Sequence, residues 1–248
     1  MVKVIGNNTP ALKTGDPEPK LAKGKARIYS NRFCPYSERA LLYAAAKGFE
    51  VEIVNINLKE KPEWYFSKHP QGKVPAFERD GEIVIESSII PDYLDDIYPS
   101  SAILPTDPYE KAKQRIMLEQ AAPVTTTFFG LYAVNKDKLE GEARFAKLKA
   151  VEDALDGAEK LLKDKYFGGS TAGYADWLLF PFFERIAIFS ALLDFSSPFP
   201  GDRWPALSAW WARISVHPAV AAVTQPPALH HEFIEGFLSG KPVNDIGI

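Results

Sequence analysis

Cys34 is the only cysteine in the 248-residue chain, set between Phe33 and Pro35 in the run RIYSNRFCPYSER, residues 27–39. A β-branched and aromatic segment leads into it, and the following proline suits the first position of a helix. With Cys34 as N-cap, the amides of Tyr36 and Ser37 and the positive end of the helix dipole point at the sulfur and favour a thiolate. Cysteines in such positions have pKa values lowered by roughly one to several units from about 8.5. Arg32 and Arg39 add positive charge nearby. The chemistry suggested is nucleophilic sulfur. A lone cysteine is otherwise a buried, inert thiol, and it is the junction of strand, Cys-Pro and helix that argues for reactivity.

The tetrapeptide CPYS resembles the CPYC of dithiol glutaredoxins, with Ser37 in the place of the resolving cysteine. No internal disulfide can form there, so a mixed disulfide on Cys34 must be resolved by an external thiol. That requirement asks for a small-thiol site next door. In KVPAF (73–77) a proline opens a strand. If the Val74–Pro75 bond is cis, Val74 presents its N–H and C=O to an extended peptide, a β-addition in miniature; otherwise Pro75 merely starts an edge strand. In IESS (85–88), Ser87 and the amides after it suit a ligand carboxylate, and Glu86 suits an ammonium. A γ-glutamyl end satisfies both. In isolation Ser87 would be no more than an N-cap.

Short elements must position these groups. ARIYS (26–30) reads as a buried strand, PYSERALLYAAAKG (35–48) as a helix stopped by Gly48, and VEIVNINL (51–58) as a second strand. Residues 59–72 suit a loop or irregular helix. VPAFERDGEIVIES (74–87) places two strand-like runs around Asp80-Gly81, a dipeptide fit for a tight hairpin turn, and SSIIPDYLDDIYP (87–99) is helical. A strand–helix–strand crossover followed by a hairpin gives a small mixed sheet with helices on its faces. From about residue 107 the helical period takes over, with helices expected over 107–134, 142–165, 174–193, 205–215 and 228–238, and a loop over 196–205. The expected division is an extended arm (1–24), an α/β domain (25–104) and an all-helical domain (105–248).

Composition narrows the function classes. A formal charge of −3 gives no basic excess, so neither nucleic acid nor an anionic membrane is favoured. No run of about 18 apolar residues or signal-peptide core is visible, and no membrane span is expected. One cysteine excludes an internal disulfide and points to a reducing, cytoplasmic setting. With four scattered histidines, it also argues against a structural metal site. His230-His231 is an adjacent pair whose rings splay apart on a helix, which argues against metal binding.

Taken in order and spacing, RIYSNRFCPYSERA, NINLKEKPEWYF, GKVPAFE, ESSIIPDYLDDIYP, LPTDPYEKA and FGGSTAGYADWLLFPFFER resemble the omega class of glutathione S-transferases. The resemblance implies a thioredoxin-like domain with a mixed four-stranded sheet, then a helical-bundle domain, usually as a homodimer. It makes Cys34 the residue that forms a mixed disulfide with glutathione, and Lys61 the partner of the glycine carboxylate. Val74 becomes the backbone partner of the cysteinyl unit, with Glu86 and Ser87 as γ-glutamyl contacts. Tyr36, Arg185 and Trp210 align with the border of a second-substrate pocket. From the residues alone, Trp210 and Trp211 suit a core, and Arg185 equally suits an internal salt bridge. The implied activity is glutathione-dependent thiol transfer and reduction of mixed disulfides, dehydroascorbate and methylated arsenic acids, with weak conjugation. Gly173 departs from the Ser or Thr usual there, with Thr171 a possible substitute cap. The Lys-rich arm reads as a solvated tail, although the class's proline-bearing extension implies packing on the helical domain. A non-catalytic channel or interaction relative is the other class of reading. The helix after Cys34 is too short for a span, and an interaction module has no need of the full glutathione set.

Overall fold

The computed structural model describes residues 4–193, 198–241 and 243–248. The chain forms two compact units. One comprises Met1–Ile103 with Pro218–Leu229 and Val243–Ile248; the other comprises Leu104–His217 and His230–Pro242. The two later segments of the first unit fall inside what the sequence suggested was one helical domain.

The first unit is built on a sheet of β1 (Val4–Ile5), β2 (Ala26–Ser30), β3 (Val51–Asn55), β4 (Ala76–Arg79) and β5 (Glu82–Ile85), in the spatial order β1-β3-β2-β4-β5. β2 and β3 are parallel, joined through helix α1 (Pro35–Ala46), while β4 runs antiparallel to β2 with Tyr29 opposite Ala76. All five residues of β2 are buried, as expected of a central strand covered on both faces. The β4–β5 turn has Asp80 at φ 49° and Gly81 at φ 85°, the two left-handed residues of a type I′ hairpin. Helix α2 (Ile89–Ile97) is tied to α1 by a buried pair, Lys47 Nζ to Asp95 Oδ1 at 2.6 Å, and the Tyr43 hydroxyl donates to the same carboxylate at 2.6 Å.

The sheet has five strands where four were expected, because the arm is not a free tail. β1 pairs parallel with β3, and Leu12 forms a further bridge with Ile56. Without them the outer edge of β3 would offer unpaired amides and carbonyls. Leu12 N–H donates to Asn55 O at 2.8 Å, and Asn57 N–H to Leu12 O at 2.9 Å. Pro218–Val223 (α8) was not expected as a helix, and it packs on α1.

The second unit contains α3 (Pro108–Gln120), α4 (Ala122–Lys136), α5 (Gly141–Leu161), α6 (Tyr174–Leu192), α7 (Pro205–Ile214) and the part of α9 (Pro227–Leu238) from His230 onward. The expected single helix over 107–134 is two. Pro123 has no N–H to continue the ladder back to Glu119, and the break falls at Ala121. α6 is the buried centre, with Leu178, Phe182, Phe183, Ile186 and Phe189 all closed to solvent. α5 caps α7: Glu159 accepts from the amides of Ala206 and Leu207 at 2.8 Å each. Of the loop expected over 196–205, Ser196 and Ser197 lie outside the described residues.

Candidate active site

Cys34 occupies the N-cap of α1 with extended dihedrals (φ −84°, ψ 116°), and its carbonyl accepts the Glu38 amide at 3.0 Å, the first bond of the helix. A closed turn delivers it there. Cys34 N–H donates to Asn31 O at 3.0 Å, and Phe33 N–H to Asn31 Oδ1 at 3.2 Å. The thiol is partly exposed and packs against a buried cluster of Tyr29, Val54, Ile56, Tyr65, Val74 and Ala76. Ser37, in the resolving position, is fully buried.

The two arginines differ. Arg39 donates to Ser87 Oγ at 3.4 Å and lies 5.5 Å from the centroid of the Tyr36 ring. The Arg32 guanidinium is spent on other oxygens, among them Ile246 O at 2.6 Å and Gln225 Oε1 at 3.0 Å, so it is not the free charge beside the sulfur that its position suggested. Burial pushes the Tyr36 phenol above its ordinary pKa, with Arg39 pulling down and Cys34 pushing up, which puts the sulfur within electrostatic reach of that ring.

The strand that Pro75 opens meets the same cluster. The Val74–Pro75 bond is cis. Among the described residues the Val74 backbone makes no hydrogen bond, which leaves both its groups available to an extended ligand. The buried Tyr65 hydroxyl donates to Lys73 O at 2.6 Å and so holds the residue before Val74. Losing one such bond costs about 1 kcal/mol. Tyr65→Phe should therefore raise the KM of a thiol cosubstrate about fivefold with kcat nearly unchanged, and an unchanged KM in steady-state kinetics would show that the bond does not set Val74.

Lys61 reaches the same region over Gly72. A Cβ on Gly72 would come within 2.8 Å of Lys61 Cδ and 2.9 Å of the Phe66 ring, and the residue has φ +60°. The missing side chain is thus what admits the lysine stem.

At the end of β5, Glu86 is exposed and sits at φ 77°, a left-handed conformation a non-glycine residue rarely holds outside a functional turn. Its neighbour Ser87 is buried and anchored to α1 by Arg39. One expectation needs correction. The amides of Ile89 and Ile90 are not open to a ligand carboxylate, because both donate to Glu86 O at 3.1 and 3.0 Å. His69 is buried near this corner; burial lowers its pKa, opposed by the Glu86 charge, and its Nδ1 accepts the Gln71 amide at 3.3 Å.

The structure therefore gathers Cys34, Lys61, Val74, Glu86 and Ser87, with Tyr36, in the first unit. Arg185 and Trp210 belong to the second. Arg185 is buried and paired with Glu184, whose carboxylate lies 3.8 Å from His230 Nε2. Trp210 is closed to solvent among Phe167, Phe180 and Phe183, and its indole N–H donates to Asp176 at 2.8 Å. It packs as a core residue. The sequence pattern does not mark Tyr65, Gly72 or Asn31. The aromatic run PEWYF and the Gly before KVP were visible, but nothing local said which of them would touch Lys73 or Lys61.

Comparison with known proteins gives matches across both units. Residues 24–96 match the family model "Glutathione S-transferase, N-terminal domain", and 117–218 match "Glutathione S-transferase, C-terminal domain". A probable glutathione transferase omega-2 of Caenorhabditis briggsae is 44% identical over 256 residues, covering 100% of both chains. Glutathione transferase omega-1 of Caenorhabditis elegans is 42% identical over 99% of each. Among solved structures, a rice transferase in complex with glutathione superposes with TM-score 0.77 at 24% identity, over 89% of this chain and 100% of that one. The omega 3C transferase of Trametes versicolor gives 0.71 at 23%, over 88% and 94%. These two likenesses speak to fold alone.

Proposed function

The chain belongs to the omega class of glutathione transferases, and from that premise we propose that it is a glutathione-dependent thiol transferase and reductase in which Cys34 is the nucleophile. The observation that supports this most directly is the single thiol at the start of α1, in contact with the cluster that includes Val74, with a buried serine where a resolving cysteine would stand.

The steps balance with glutathione as the only reductant. The Cys34 thiolate attacks the glutathione sulfur of a mixed disulfide; the Cys34–glutathione bond forms as the substrate thiolate leaves and takes a proton. A second glutathione thiolate attacks the glutathione sulfur now bound to Cys34, releasing oxidised glutathione and restoring the Cys34 thiolate. For dehydroascorbate, two glutathiones supply the two electrons and two protons. Lys61 meets the glycine carboxylate of the tripeptide, the Val74 backbone pairs with its cysteinyl unit, and Glu86 and Ser87 hold its γ-glutamyl end. Tyr36 borders the second substrate. Because a cysteine traps glutathione covalently, conjugation of electrophiles is weak. Methylated arsenic acids are a further substrate class on this reading. The working form is a homodimer in the cytoplasm, where reduced glutathione is supplied.

Intact-mass spectrometry after exposure to oxidised glutathione tests this. One glutathionyl group should appear on the wild type, be removed by added glutathione, and be absent from Cys34→Ser. A wild type that never takes up glutathione would overturn the reading.

A further inference from the structure

The turn that presents Cys34 is gripped by chain segments far from it in sequence, and no step of the chemistry above uses the grip. Arg32, 6% exposed, donates through Nη1 to Ile246 O at 2.6 Å and through Nη2 to Gln225 Oε1 at 3.0 Å and Asn8 Oδ1 at 3.3 Å. Gln225 Nε2 closes the ring by donating to the same Asn8 oxygen at 3.0 Å. Next to it, Asn31 Nδ2 donates to Asn244 Oδ1 at 3.0 Å, while the other end of that amide accepts from Phe33. Asp245 in turn accepts the Ala11 amide at 2.8 Å. All of these residues lie in the first unit.

We infer that the segment Val243–Ile248, acting through Arg32 and Asn31 together with Asn8 and Gln225, is a positioning clamp for the Cys34 nucleophile. The inference rests on the function proposed above. A guanidinium presents its donors in a rigid planar fork, so oxygens from three segments fix its plane as well as its place. Once buried, it holds those partners together, because losing one leaves a charge poorly satisfied. Cys34 follows two residues later inside a hydrogen-bonded turn, so a tilt of the Arg32 backbone swings the sulfur off the amides that begin α1. A displacement of about 1 Å at a reacting group costs up to about 100-fold in rate.

The test uses the full chain carrying Asn244→Ala with Asp245→Ala, neither of which touches the ligand groups. The readout is Cys34 alkylation by iodoacetamide, followed from acid to mildly alkaline pH, beside the melting temperature. The clamp predicts an alkylation rate at neutral pH about 10-fold lower, with the midpoint of the profile moved up toward that of an ordinary thiol. Arg32→Lys, which keeps the charge but loses the fork, should move the profile the same way. Asp245→Asn, which keeps an acceptor for Ala11, should retain the wild-type profile. Variants that melt earlier but keep the wild-type pH profile would reduce the clamp to a structural tie and overturn the inference. Should the double variant not fold, Asn244→Ala alone carries the comparison. A wild type whose own thiol reacts like a free cysteine and takes up no glutathione would instead overturn the proposed function, so the two failures are distinguishable.

Discussion

Cys34→Ala should reduce glutathione-dependent turnover of dehydroascorbate and of a small mixed disulfide to the uncatalysed rate, a loss of roughly three orders of magnitude or more. The size follows from the proposed chemistry, in which the sulfur is the atom that becomes bonded to glutathione, and Cys34 is the only thiol in the chain. No neighbour can take over, because Ser37 is buried and an unactivated hydroxyl is a poor nucleophile. Binding of glutathione should survive, since Lys61, the free backbone of Val74, Glu86 and the Arg39-anchored Ser87 are untouched. Initial rates of wild type and variant, measured beside equilibrium binding, separate the two effects. If neither protein turns over, the enzyme reading fails and a binding role gains. If the alanine variant conjugates an electrophile well, the ligand seat is real and Cys34 regulates what happens in it.

The split between what was readable and what was not follows the range of the interactions. The Cys-Pro start of α1, the Asp80-Gly81 hairpin and the strands around them are decided by a few adjacent residues, and the helix, turn and pairing form where those residues stand. The arm reads as an unpatterned tail because a two-residue strand has no period to detect. Its pairing is dictated by the unfilled edge of β3, with Val4 opposite Val51. Likewise, Arg32 reads as a charge for the thiol, whereas its acceptors come from residues 8, 225 and 246. Tyr65 meets Lys73 and Gly72 meets Lys61, and a sequence of aromatic and small residues does not say which contact each will make. The resemblance draws Trp210 toward a pocket and helical spacing draws it toward a core. It is completely buried and bonded to Asp176, as a core residue is. Gly173, where a Ser or Thr cap was expected, is explained by packing: a Cβ there would come 2.9 Å from Gly168 Cα.

That close approach leads to the largest expected loss of stability. Asp176→Ala should cost at least about 4 kcal/mol, at the extreme of single substitutions. The Asp176 carboxylate is fully buried and takes four N–H donors: Phe167 at 2.9 Å and Trp210 Nε1 at 2.8 Å on Oδ1, and Gly168 and Gly173 at 2.8 Å each on Oδ2. It thereby joins the turn before α6, the first turn of α6 and the indole of α7. Each buried donor left without an acceptor costs about 1–3 kcal/mol, and alanine leaves four. Since whole domains are stable by only about 5–15 kcal/mol, the second unit should lose most of its margin, seen as a large drop in the urea midpoint of tryptophan emission. Asp176→Asn sharpens the test. The amide is nearly isosteric, yet each carboxylate oxygen accepts two donors, so whichever way the amide is turned its NH2 faces two N–H groups. A cost of about 3 kcal/mol is expected for Asn as well. If Asn instead costs less than about 1 kcal/mol, the four bonds are replaceable, and α6 is held by its apolar packing alone.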